Sequence, residues 1–293
     1  KNHKIKKKIY IISNYNLLIS QLKKLKMNLN FQIVKDLKEK SEMDKIKVID
    51  VTVKFTNPFN VKKNQASRYV IKCLNMAHRF ALNENAVGLI NCPINKTLLK
   101  KKIGVTEYLA NKSKIKENTV AMLINNQKLS VCPITTHTDL KDVASKLNKK
   151  EIVDKVITIQ KWFKRRIKKK PRIAILGLNP HKAELKKNSE EKKIIIPAIP
   201  KLKRLGFLVT GPMVADTLFI EEYKKFDVII GMFHDQVLAP FKTLFKFKAI
   251  NITLGLNYLR VSPDHGVAKN LILKKKANAE SLTRCIDFMD KFK

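Results

Sequence analysis

The stretch Val228-Ile-Ile-Gly-Met-Phe-His-Asp-Gln236 joins a short apolar run to three polar side chains. A short apolar run of this kind is typical of a strand buried inside a sheet. Two other segments have the same pattern: Ile173–Leu176 leads into Gly177-Leu-Asn-Pro-His181, and Leu129–Ile134 leads into Thr135-Thr-His137. Each of the three predicted strands therefore delivers a histidine just past its carboxyl end.

Amphipathic segments separate the apolar runs along the chain. Apolar side chains recur with helical spacing over Asn16–Lys26, Gln65–Leu82 and Glu151–Phe163, which predicts helices there. Further helices are predicted over Glu190–Leu205, His265–Leu273 and Asn278–Phe292, and further strands over Ile9–Ser13, Val48–Val53, Val87–Ile90, Thr119–Ile124 and Ala249–Leu254. Strands that alternate with helices predict an α/β fold with a mostly parallel sheet covered on both faces.

The three histidines that follow strands, His137, His181 and His234, are candidate ligands of one divalent metal ion. In open α/β sheets, ligands bind beyond the carboxyl ends of the strands. Three imidazoles with one open coordination position suit a catalytic metal. Because the three lie far apart in sequence, ordinary loop histidines are the alternative that the residues alone leave open.

Charged and polar side chains near these histidines are candidates for catalysis and for anion binding. Lys242 and Arg260 are suited to gripping a phosphate or carboxylate, with Asn251 orienting it. An ordinary surface cation is the alternative for both. Asp216 and Asp235 are candidates for orienting metal ligands or transferring a proton. Capping or orienting a loop is the alternative for these acids.

The chain carries a large positive charge, with 61 lysines and arginines against 24 acidic residues and a formal net charge of +37. Only eight of the basic residues are arginine, whereas base recognition and bidentate phosphate contacts favour arginine. We therefore expect only nonspecific attraction to nucleic acid, and a field that favours a small phosphorylated substrate.

Other features of the sequence favour a cytoplasmic protein that has no membrane partner. The sequence contains no apolar run of about 18 residues, which is the length needed to predict a transmembrane helix. The basic N-terminus lacks the apolar stretch of a secretory signal. The four cysteines are scattered without CxxC spacing, which argues against a zinc ribbon or a disulfide framework and is typical of a reducing compartment.

Several motifs give the chain a family resemblance. They are GLNPH at 177–181, Ser189–Glu191 with Pro197–Ile199, GPMVADTLF at 211–219, HDQ at 234–236, NITLGL at 251–256 and RVSPDHGVA at 260–268. In order and interval they resemble the 4-hydroxythreonine-4-phosphate dehydrogenase family, from about Ala86 to Leu271. The combination of GLNPH, GPxxADT and HDQ in one chain is highly specific.

The resemblance implies a two-lobed α/β fold like that of isocitrate and isopropylmalate dehydrogenases, with mostly parallel sheets and an active-site cleft between the lobes. It also implies a homodimer with the active site near its interface. The first lobe is then expected to comprise residues 1–95 with 250–293, and the second lobe residues 96–249, with approximate boundaries.

The resemblance also implies a set of functional residues. The metal, Zn²⁺, Mg²⁺ or Co²⁺, is held by the residues matching His137, His181 and His234. The substrate is held by the residues matching Thr106, Lys242, Asn251 and Arg260. The cofactor, NAD or NADP, binds without a GxGxxG loop, and its adenosine end is expected near Asp264, His265 and Gly266.

The implied reaction is the metal-dependent oxidation of 4-phosphooxy-L-threonine by NAD to 2-amino-3-oxo-4-phosphooxybutanoate. This β-keto acid decarboxylates to 3-amino-2-oxopropyl phosphate, in the biosynthesis of pyridoxine 5′-phosphate (vitamin B6). Two departures from the family bear on this expectation. The Gly-rich G-(E/D)-P-x-G segment of the family's first strand–loop–helix unit has no counterpart in the sequence, and Val105 stands where the family has a substrate-contacting histidine.

Three other interpretations stay open. Val105 is compatible with the same chemistry on another phosphorylated sugar acid, such as threonate or erythronate 4-phosphate. The net charge and the missing first segment are compatible with a polyanion-binding protein on an inactive scaffold. The histidines alone fit a metal-dependent hydrolase, although the GPxxADT and TLGL segments argue against it.

Overall fold

The computed structural model describes residues 5–42, 45–83, 86–99, 104–115, 119–181, 186–274 and 276–292. The chain divides into two compact units. The first unit comprises Lys1–Leu109, Asn257–Leu259 and His265–Lys293, and the second comprises Ala110–Leu256 and Arg260–Asp264. The lobe limits expected from the family resemblance stay a prediction.

Helices and strands alternate through most of the described chain. The strands are β1 (Tyr10–Ser13), β2 (Phe31–Ile33), β3 (Ile46–Asp50), β4 (Gly88–Ile90), β5 (Ala121–Asn125), β6 (Ser130–Thr135), β7 (Arg172–Leu176), β8 (Leu208–Met213), β9 (Val228–Phe233), β10 (Ile250–Leu254) and β11 (Leu259–Pro263). The α-helices are α1 (Tyr15–Leu25), α2 (Lys63–Asn83), α3 (Val105–Lys112), α4 (Val143–Lys146), α5 (Lys149–Trp162), α6 (Ile196–Arg204), α7 (Ala215–Leu218), α8 (His234–Phe245) and α9 (Glu280–Asp290).

Two of the amphipathic helices, α1 and α5, begin after an asparagine whose side chain caps them. Asn14 accepts the amide of Leu17 at the start of α1, and Asn148 accepts the amide of Glu151 at the start of α5. Such caps satisfy amides that have no partner within the helix. The helices predicted over Asn16–Lys26 and Glu151–Phe163 are therefore confirmed, each within a residue or two of its predicted ends.

The second unit is built on a mixed sheet in the order β11-β10-β5-β6-β9-β7-β8. β6, β9, β7 and β8 run parallel to one another, whereas the pairs β5–β6, β5–β10 and β10–β11 are antiparallel. All or nearly all residues of β6, β7 and β9 are buried, as expected for parallel strands covered on both faces.

The first unit contains a separate parallel sheet in the order β1-β3-β2. It also contains β4, which adjoins β11 in the sheet order; Leu259 of β11 is counted in this unit. The predicted α/β class with mostly parallel sheets is confirmed. Within the described ranges, none of the helices combines the length and the apolar character needed to cross a bilayer.

One predicted helix is wrong. Residues His265–Leu273 contain only a 3-10 turn at Lys269–Leu271. Ala268 and Leu273 flank this turn with φ angles of 44° and 62°. Left-handed backbone at both positions ends a right-handed helix, so the apolar spacing of this segment does not produce one.

Candidate active site

Three neighbouring parallel strands end at the predicted metal ligands. β6, β9 and β7 lie side by side, and Thr135 is opposite Phe233 in the register of the first pair. His234 directly follows β9, His137 lies two residues beyond β6, and His181 lies five residues beyond β7. Because parallel strands end at the same edge of a sheet, the topology brings the three histidine-bearing turns to one edge.

A series of hydrogen bonds connects these three strand ends. The Thr135 hydroxyl donates to the carbonyl oxygen of Met232 at 2.8 Å. The Met232 amide donates to the side-chain oxygen of Gln236 at 2.7 Å. The side-chain amide of Gln236 then donates to the carbonyl oxygen of Gly177 at 2.7 Å. Gln236 thereby fixes the first turn of α8 against the turn that follows β7.

A buried carboxylate supports the turn after β7. Glu191 is 0 % exposed, and its Oε1 accepts the amides of Leu178 and Asn179 at 2.8 and 2.9 Å. Its Oε2 accepts the side-chain amide of Asn179 at 3.1 Å. Burial raises the pKa of this carboxyl, but the hydrogen bonds from Asn179 and Leu178 outweigh burial and hold the pKa below its ordinary value. An ionised Glu191 therefore helps to place the turn that carries His181.

A buried lysine supports the turn after β6. Lys155 lies in α5 and is only 7 % exposed. Its ammonium donates to the carbonyl oxygen of Ile134 and lies 2.9 Å from a carboxylate oxygen of Glu151. A buried ammonium needs such partners to offset its desolvation. The contact lies three residues before His137, so Lys155 is a supporting residue of this turn.

The imidazoles themselves are open to solvent. His137 and His181 are exposed, and His181 has a left-handed backbone with a φ of 49°. The side chain of His234 is 40 % exposed, and its Nδ1 lies 2.5 Å from Oδ1 of Asp235. In the described part of the chain, no three His, Cys, Asp or Glu side chains are grouped closely enough to hold a metal ion. The order of the strands places the three turns at one edge of the sheet. Binding of one metal ion by all three imidazoles stays a prediction.

The two predicted catalytic carboxylates lie in the first turns of helices. Asp216 is exposed in α7, and its Oδ1 accepts the amide of Thr217 at 2.8 Å. Asp235 lies in α8 with 81 % of its side chain exposed. The free amides at a helix N-terminus favour negative charge, which explains both positions structurally. Their roles in catalysis stay predictions.

One face of the β10–β11 hairpin is polar yet largely buried. Asn251 lies opposite Ser262, and Thr253 lies opposite Arg260; alternate residues of a strand share one face. Arg260 is 3 % exposed and donates to the Thr253 hydroxyl at 2.6 Å. The side-chain oxygen of Asn251 is buried and has no hydrogen-bond partner among the described residues. A buried guanidinium and an unsatisfied amide oxygen on one face are suited to an anionic ligand that also carries hydrogen-bond donors.

Two residues predicted to bind different ligands contact each other. The ammonium of Lys242, a predicted substrate ligand, lies 3.5 Å from Oδ1 of Asp264 and 3.4 Å from its carbonyl oxygen. Asp264 begins the predicted cofactor loop, in which Nδ1 of His265 lies 3.0 Å from the carbonyl oxygen of Gly266. The other predicted substrate ligand, Thr106, is half-buried in α3 of the first unit. The ligand contacts of these residues stay predictions.

Sequence reasoning missed the residues whose side chains hold the histidine-bearing turns in place through hydrogen bonds. Gln236 and Glu191 lie inside two of the quoted motifs, and their polar side chains at fixed offsets from His234 and His181 are the signal that marks them. Lys155 gives no such signal, because in a lysine-rich chain its sequence context is that of a surface residue. Only its burial and its contact with Ile134 distinguish it.

The sequence of the chain is similar to those of known proteins from one family. The family model described as "Pyridoxal phosphate biosynthetic protein PdxA" matches residues 4–289. A 4-hydroxythreonine-4-phosphate dehydrogenase from Sulfurihydrogenibium sp. is 37% identical over 287 residues, which are 95% of this chain and 87% of the relative. The protein of the same name from Aquifex aeolicus is 37% identical over 274 residues, which are 90% of this chain and 84% of the relative.

The fold is similar to that of a solved structure with the same name. The crystal structure of 4-hydroxythreonine-4-phosphate dehydrogenase from Klebsiella pneumoniae superimposes with a TM-score of 0.85 at 28% identity, and the match covers 97% of this chain and 89% of the other. The family resemblance found in the motifs is thereby confirmed. This chain belongs to the pyridoxal phosphate biosynthetic protein PdxA family.

Proposed function

We propose that this chain oxidises 4-phosphooxy-L-threonine with NAD or NADP. The product, 2-amino-3-oxo-4-phosphooxybutanoate, loses carbon dioxide to give 3-amino-2-oxopropyl phosphate, a precursor of pyridoxine 5′-phosphate. The relatives carry the name of this dehydrogenase. The main support for the proposal is a series of hydrogen bonds through Thr135 and Gln236. These bonds connect the three strand ends that precede the histidines.

His137, His181 and His234 would hold one divalent ion, Zn²⁺, Mg²⁺ or Co²⁺. Three imidazoles at one sheet edge form a donor set that fits Zn²⁺ and Co²⁺ best. Nδ1 of His234 faces Asp235, which leaves Nε2 for a ligand. When bound, such an ion lowers the pKa of a substrate alcohol and polarises the ketone that forms from it.

The polar face of the β10–β11 hairpin would anchor the substrate. Arg260 offers a buried, fixed guanidinium to a phosphate or carboxylate. Asn251 offers its unsatisfied side-chain oxygen to an amino or hydroxyl group of the substrate. Lys242 would exchange its contact with Asp264 for the substrate's phosphate, and Thr106 would add a hydroxyl. The net charge of +37 favours the approach of such an anion.

The loop Asp264-His-Gly266 would contact the adenosine side of the cofactor. The nicotinamide supplies the hydride acceptor. Asp216 and Asp235 are assigned to orienting metal ligands or to carrying the proton released by the substrate hydroxyl. Asp235 already contacts His234 at 2.5 Å, which favours the orienting role for this residue. We also propose that the chain forms a homodimer and acts in the cytoplasm.

A related substrate is the second candidate, and Val105 is the observation that favours it. Val105 is half-buried at the start of α3, next to Thr106. An apolar side chain there removes one polar contact that the family resemblance implies. A phosphorylated sugar acid such as erythronate or threonate 4-phosphate lacks the substrate's amino group and therefore differs in the hydrogen bonds that it needs.

The appearance of NADH absorbance tests the proposal. The chain is loaded with Zn²⁺ or Co²⁺ and mixed with NAD and 4-phosphooxy-L-threonine or erythronate 4-phosphate. We expect NADH with the threonine compound, loss of activity in His181→Ala, and full activity in Arg284→Lys, which changes an ion pair on the surface of α9. NADH only with the sugar acid selects the second candidate.

A metal-loaded chain that reduces NAD with neither compound overturns both candidates. In that case RNA binding that persists near about 0.2 M salt would support the polyanion-binding interpretation, because nonspecific attraction weakens steeply at that salt concentration.

A further inference from the structure

A basic surface lies where the parallel strands of the second unit begin. The histidine-bearing turns follow the carboxyl ends of β6, β9 and β7, so this amino edge is at the other end of the same strands. The segments that precede β7, β8 and β9 meet here, since Arg172 is opposite Leu208 and its carbonyl oxygen accepts the Asp227 amide at 2.8 Å. None of the residues assigned to the dehydrogenase reaction belongs to these segments, so a function of this edge is independent of the proposed reaction.

The three segments, residues 161–172, 201–204 and 221–227, together form what is called the basic face below. They contain 13 lysines and arginines against 3 acidic residues, which leaves a net charge of +10. Residues 161–172 carry 8 of these cations in 12 positions and no acid, whereas lysine and arginine make up 61 of the 293 residues of the chain. Four of the eight arginines of the chain also lie here: Arg165, Arg166, Arg172 and Arg204. Positive charge and arginine are therefore concentrated on this face beyond the average of a lysine-rich chain.

Most of these cations are not neutralised by acidic side chains. All 13 except Arg166 are exposed. Four of them pair with the acids of the face: Lys169 and Arg172 with Asp227, Lys224 with Glu221, and Lys225 with Glu222. Among the described residues, eight others have no carboxylate partner: Lys161, Lys164, Arg165, Lys168, Lys170, Lys201, Lys203 and Arg204. Burial, followed by the charge of Arg165, lowers the pKa of Arg166, and a bound anion would offset both causes.

Stabilisation of helix ends does not account for this much charge. α5 connects β6 to β7 and α6 connects β7 to β8. Both helices end at the amino edge, because a helix that connects two parallel strands runs antiparallel to them. The carbonyl groups at a helix end carry about half a negative charge, so the two helices together offset about one of the ten excess positive charges. The remaining charge suits an anionic partner.

The chemistry of the basic face favours a phosphodiester over a lipid surface. A basic helix binds a lipid surface by laying an apolar face into it. The apolar faces of α5 and α6 are already used in the core, since Ile152, Val156 and Ile159 of α5 and Ala198 and Leu202 of α6 are fully buried. Arginine suits phosphate, because its planar guanidinium can donate two hydrogen bonds to one phosphate group. A backbone that presents phosphates in a row is therefore the better match.

Two half-buried aromatic rings lie among the cations. Trp162 directly precedes the turn Phe163–Ile167, and Tyr223 has the Lys224 ammonium 6.0 Å from its ring centre. An unpaired base can stack on such a ring, whereas the bases inside a duplex are not available for stacking on protein. Single-stranded RNA offers both a row of phosphates and unpaired bases.

We propose that the basic face binds single-stranded RNA without sequence preference. Its lysines and arginines contact the phosphates, which carry no sequence information, while Trp162 and Tyr223 stack on bases. The histidine-bearing turns lie at the opposite ends of β6, β9 and β7, so bound RNA leaves these turns accessible.

Fluorescence anisotropy of a labelled oligouridylate tests this proposal. The probe has about 20 nucleotides, which exceeds a typical single-strand site of about 4–16 nucleotides, and it is titrated with the full chain at several salt concentrations from about 0.05 to 0.2 M. The face variant combines Lys164→Gln, Lys168→Gln, Lys170→Gln and Lys201→Gln, which removes four exposed cations. Each phosphate contact to a single strand contributes about 0.7 to the slope of log affinity against log salt. We therefore expect the slope of the face variant to fall by about 3 and its affinity at about 0.1 M salt to fall at least tenfold.

A matched control removes the same charge from the first unit. It combines four substitutions of exposed lysines: Lys23→Gln, Lys24→Gln, Lys62→Gln and Lys72→Gln. We expect the RNA affinity of this variant to stay within about twofold of the wild type, because no direct phosphate contact is lost. Circular dichroism and the melting temperature establish that both variants fold. Where the wild type forms NADH, kcat should be unchanged in both variants, and the binding measurement stands even if the wild type forms none.

Several results would overturn the proposal. Equal loss of affinity in the face variant and the control would show that binding follows net charge and has no site. Binding of duplex RNA of the same length as tightly as the single strand would exclude stacking on the two rings. Phosphatidylserine vesicles are the competing ligand, since Ile167 and Leu205 are exposed beside the two helix ends; binding to such vesicles that is tighter than binding to the RNA would identify a lipid-binding face instead.

Discussion

The side-chain amide of Gln236 lies 2.7 Å from the carbonyl oxygen of Gly177, and this contact joins two of the three turns on which the proposed metal site depends. The oxygen of the same side chain accepts the amide of Met232 at 2.7 Å. One glutamine therefore fixes the end of β9 against the end of β7. Mutation of residues that orient metal ligands typically lowers metal affinity about 10- to 100-fold.

Replacing this glutamine is expected to weaken metal binding without unfolding the protein. Gln236→Leu keeps the side-chain size but leaves the Met232 amide and the Gly177 carbonyl without this partner. We expect Zn²⁺ or Co²⁺ affinity to fall about 10- to 100-fold and the free energy of unfolding to fall by about 1–3 kcal/mol. Titration calorimetry and urea denaturation measure the two effects. Gln236→Glu, which keeps the acceptor for Met232, should lose less stability than the leucine variant; unchanged metal affinity in both variants contradicts this role.

A side chain at Gly231 is expected to destabilise the protein, because it would meet the side chains of Val237 and Gln236. A Cβ there would lie 2.6 Å from Cγ1 of Val237 and 2.9 Å from Oε1 of Gln236. Gly231→Ala should therefore lower the free energy of unfolding by about 1–3 kcal/mol through overpacking and should also weaken metal binding. Gly266→Ala is the matched control, since no atom lies within 4 Å of an added Cβ there. Equal urea midpoints for the two variants would show that the β9 end is not tightly packed.

Glu191 is expected to make stability depend on pH in the acid range. Its folded pKa lies below the ordinary value of 4.5, so the unfolded state binds more protons as the solution becomes acidic. The stabilisation is complete above about pH 4.5 and is lost as pH falls through the folded pKa. Urea denaturation from about pH 6 down to about pH 3.5 should show a steeper loss of stability for the wild type than for Glu191→Gln.

A surface acid serves as the control for this pH dependence. Glu280→Gln removes a partly exposed carboxylate that pairs with Arg284, and ion pairs near the surface contribute little to stability. The pH dependence of this variant should match that of the wild type. If Glu191→Gln also matches the wild type, the buried carboxylate does not carry the acid sensitivity.

Arg260 is expected to act in substrate binding through its geometry as well as its charge. Its guanidinium is 3 % exposed and is held by Thr253 at 2.6 Å. Arg260→Lys keeps the charge but loses the planar guanidinium, which can donate two hydrogen bonds at once to a phosphate or a carboxylate. We expect the KM for 4-phosphooxy-L-threonine to rise about tenfold or more, while metal affinity stays unchanged. Steady-state kinetics of Arg260→Lys beside Arg284→Lys separates this effect from a general loss of positive charge, and an unchanged KM excludes the role.

Much of the fold follows from local sequence patterns. The apolar runs that became β6, β7 and β9 are short, continuous and followed by polar turns, so they are predictable as buried strands. α1 and α5 are predictable because an amphipathic face follows an asparagine cap. In each case the local preference and the tertiary structure favour the same conformation.

The elements that escaped prediction lack such agreement. β8 contains Gly211-Pro212, which is typical of a turn, yet the strand lies at the end of its sheet, where a proline is tolerated. β2 has only three residues and offers too short a pattern. The segment His265–Leu273 has helical spacing, but left-handed backbone at Ala268 and Leu273 prevents the helix. These outcomes depend on tertiary context.

Some features of the candidate site are likewise predictable from local sequence, and others are not. The histidines are predictable from their positions after strands, and Arg260 from the scarcity of arginine in the chain. The connection from Thr135 through Met232 and Gln236 to Gly177 depends on which strands become neighbours. β6, β9 and β7 are adjacent in the sheet but not in this order along the chain, and no local pattern predicts that order.

The proposed metal site requires that three imidazoles from three strand ends bind one metal ion. An anomalous difference map from a crystal of the Co²⁺-loaded protein tests it most directly. We predict one strong peak about 2.1 Å from a ring nitrogen of each of His137, His181 and His234. A peak that contacts fewer than three of these rings, or fully loaded crystals with no peak beside them, contradicts this binding mode.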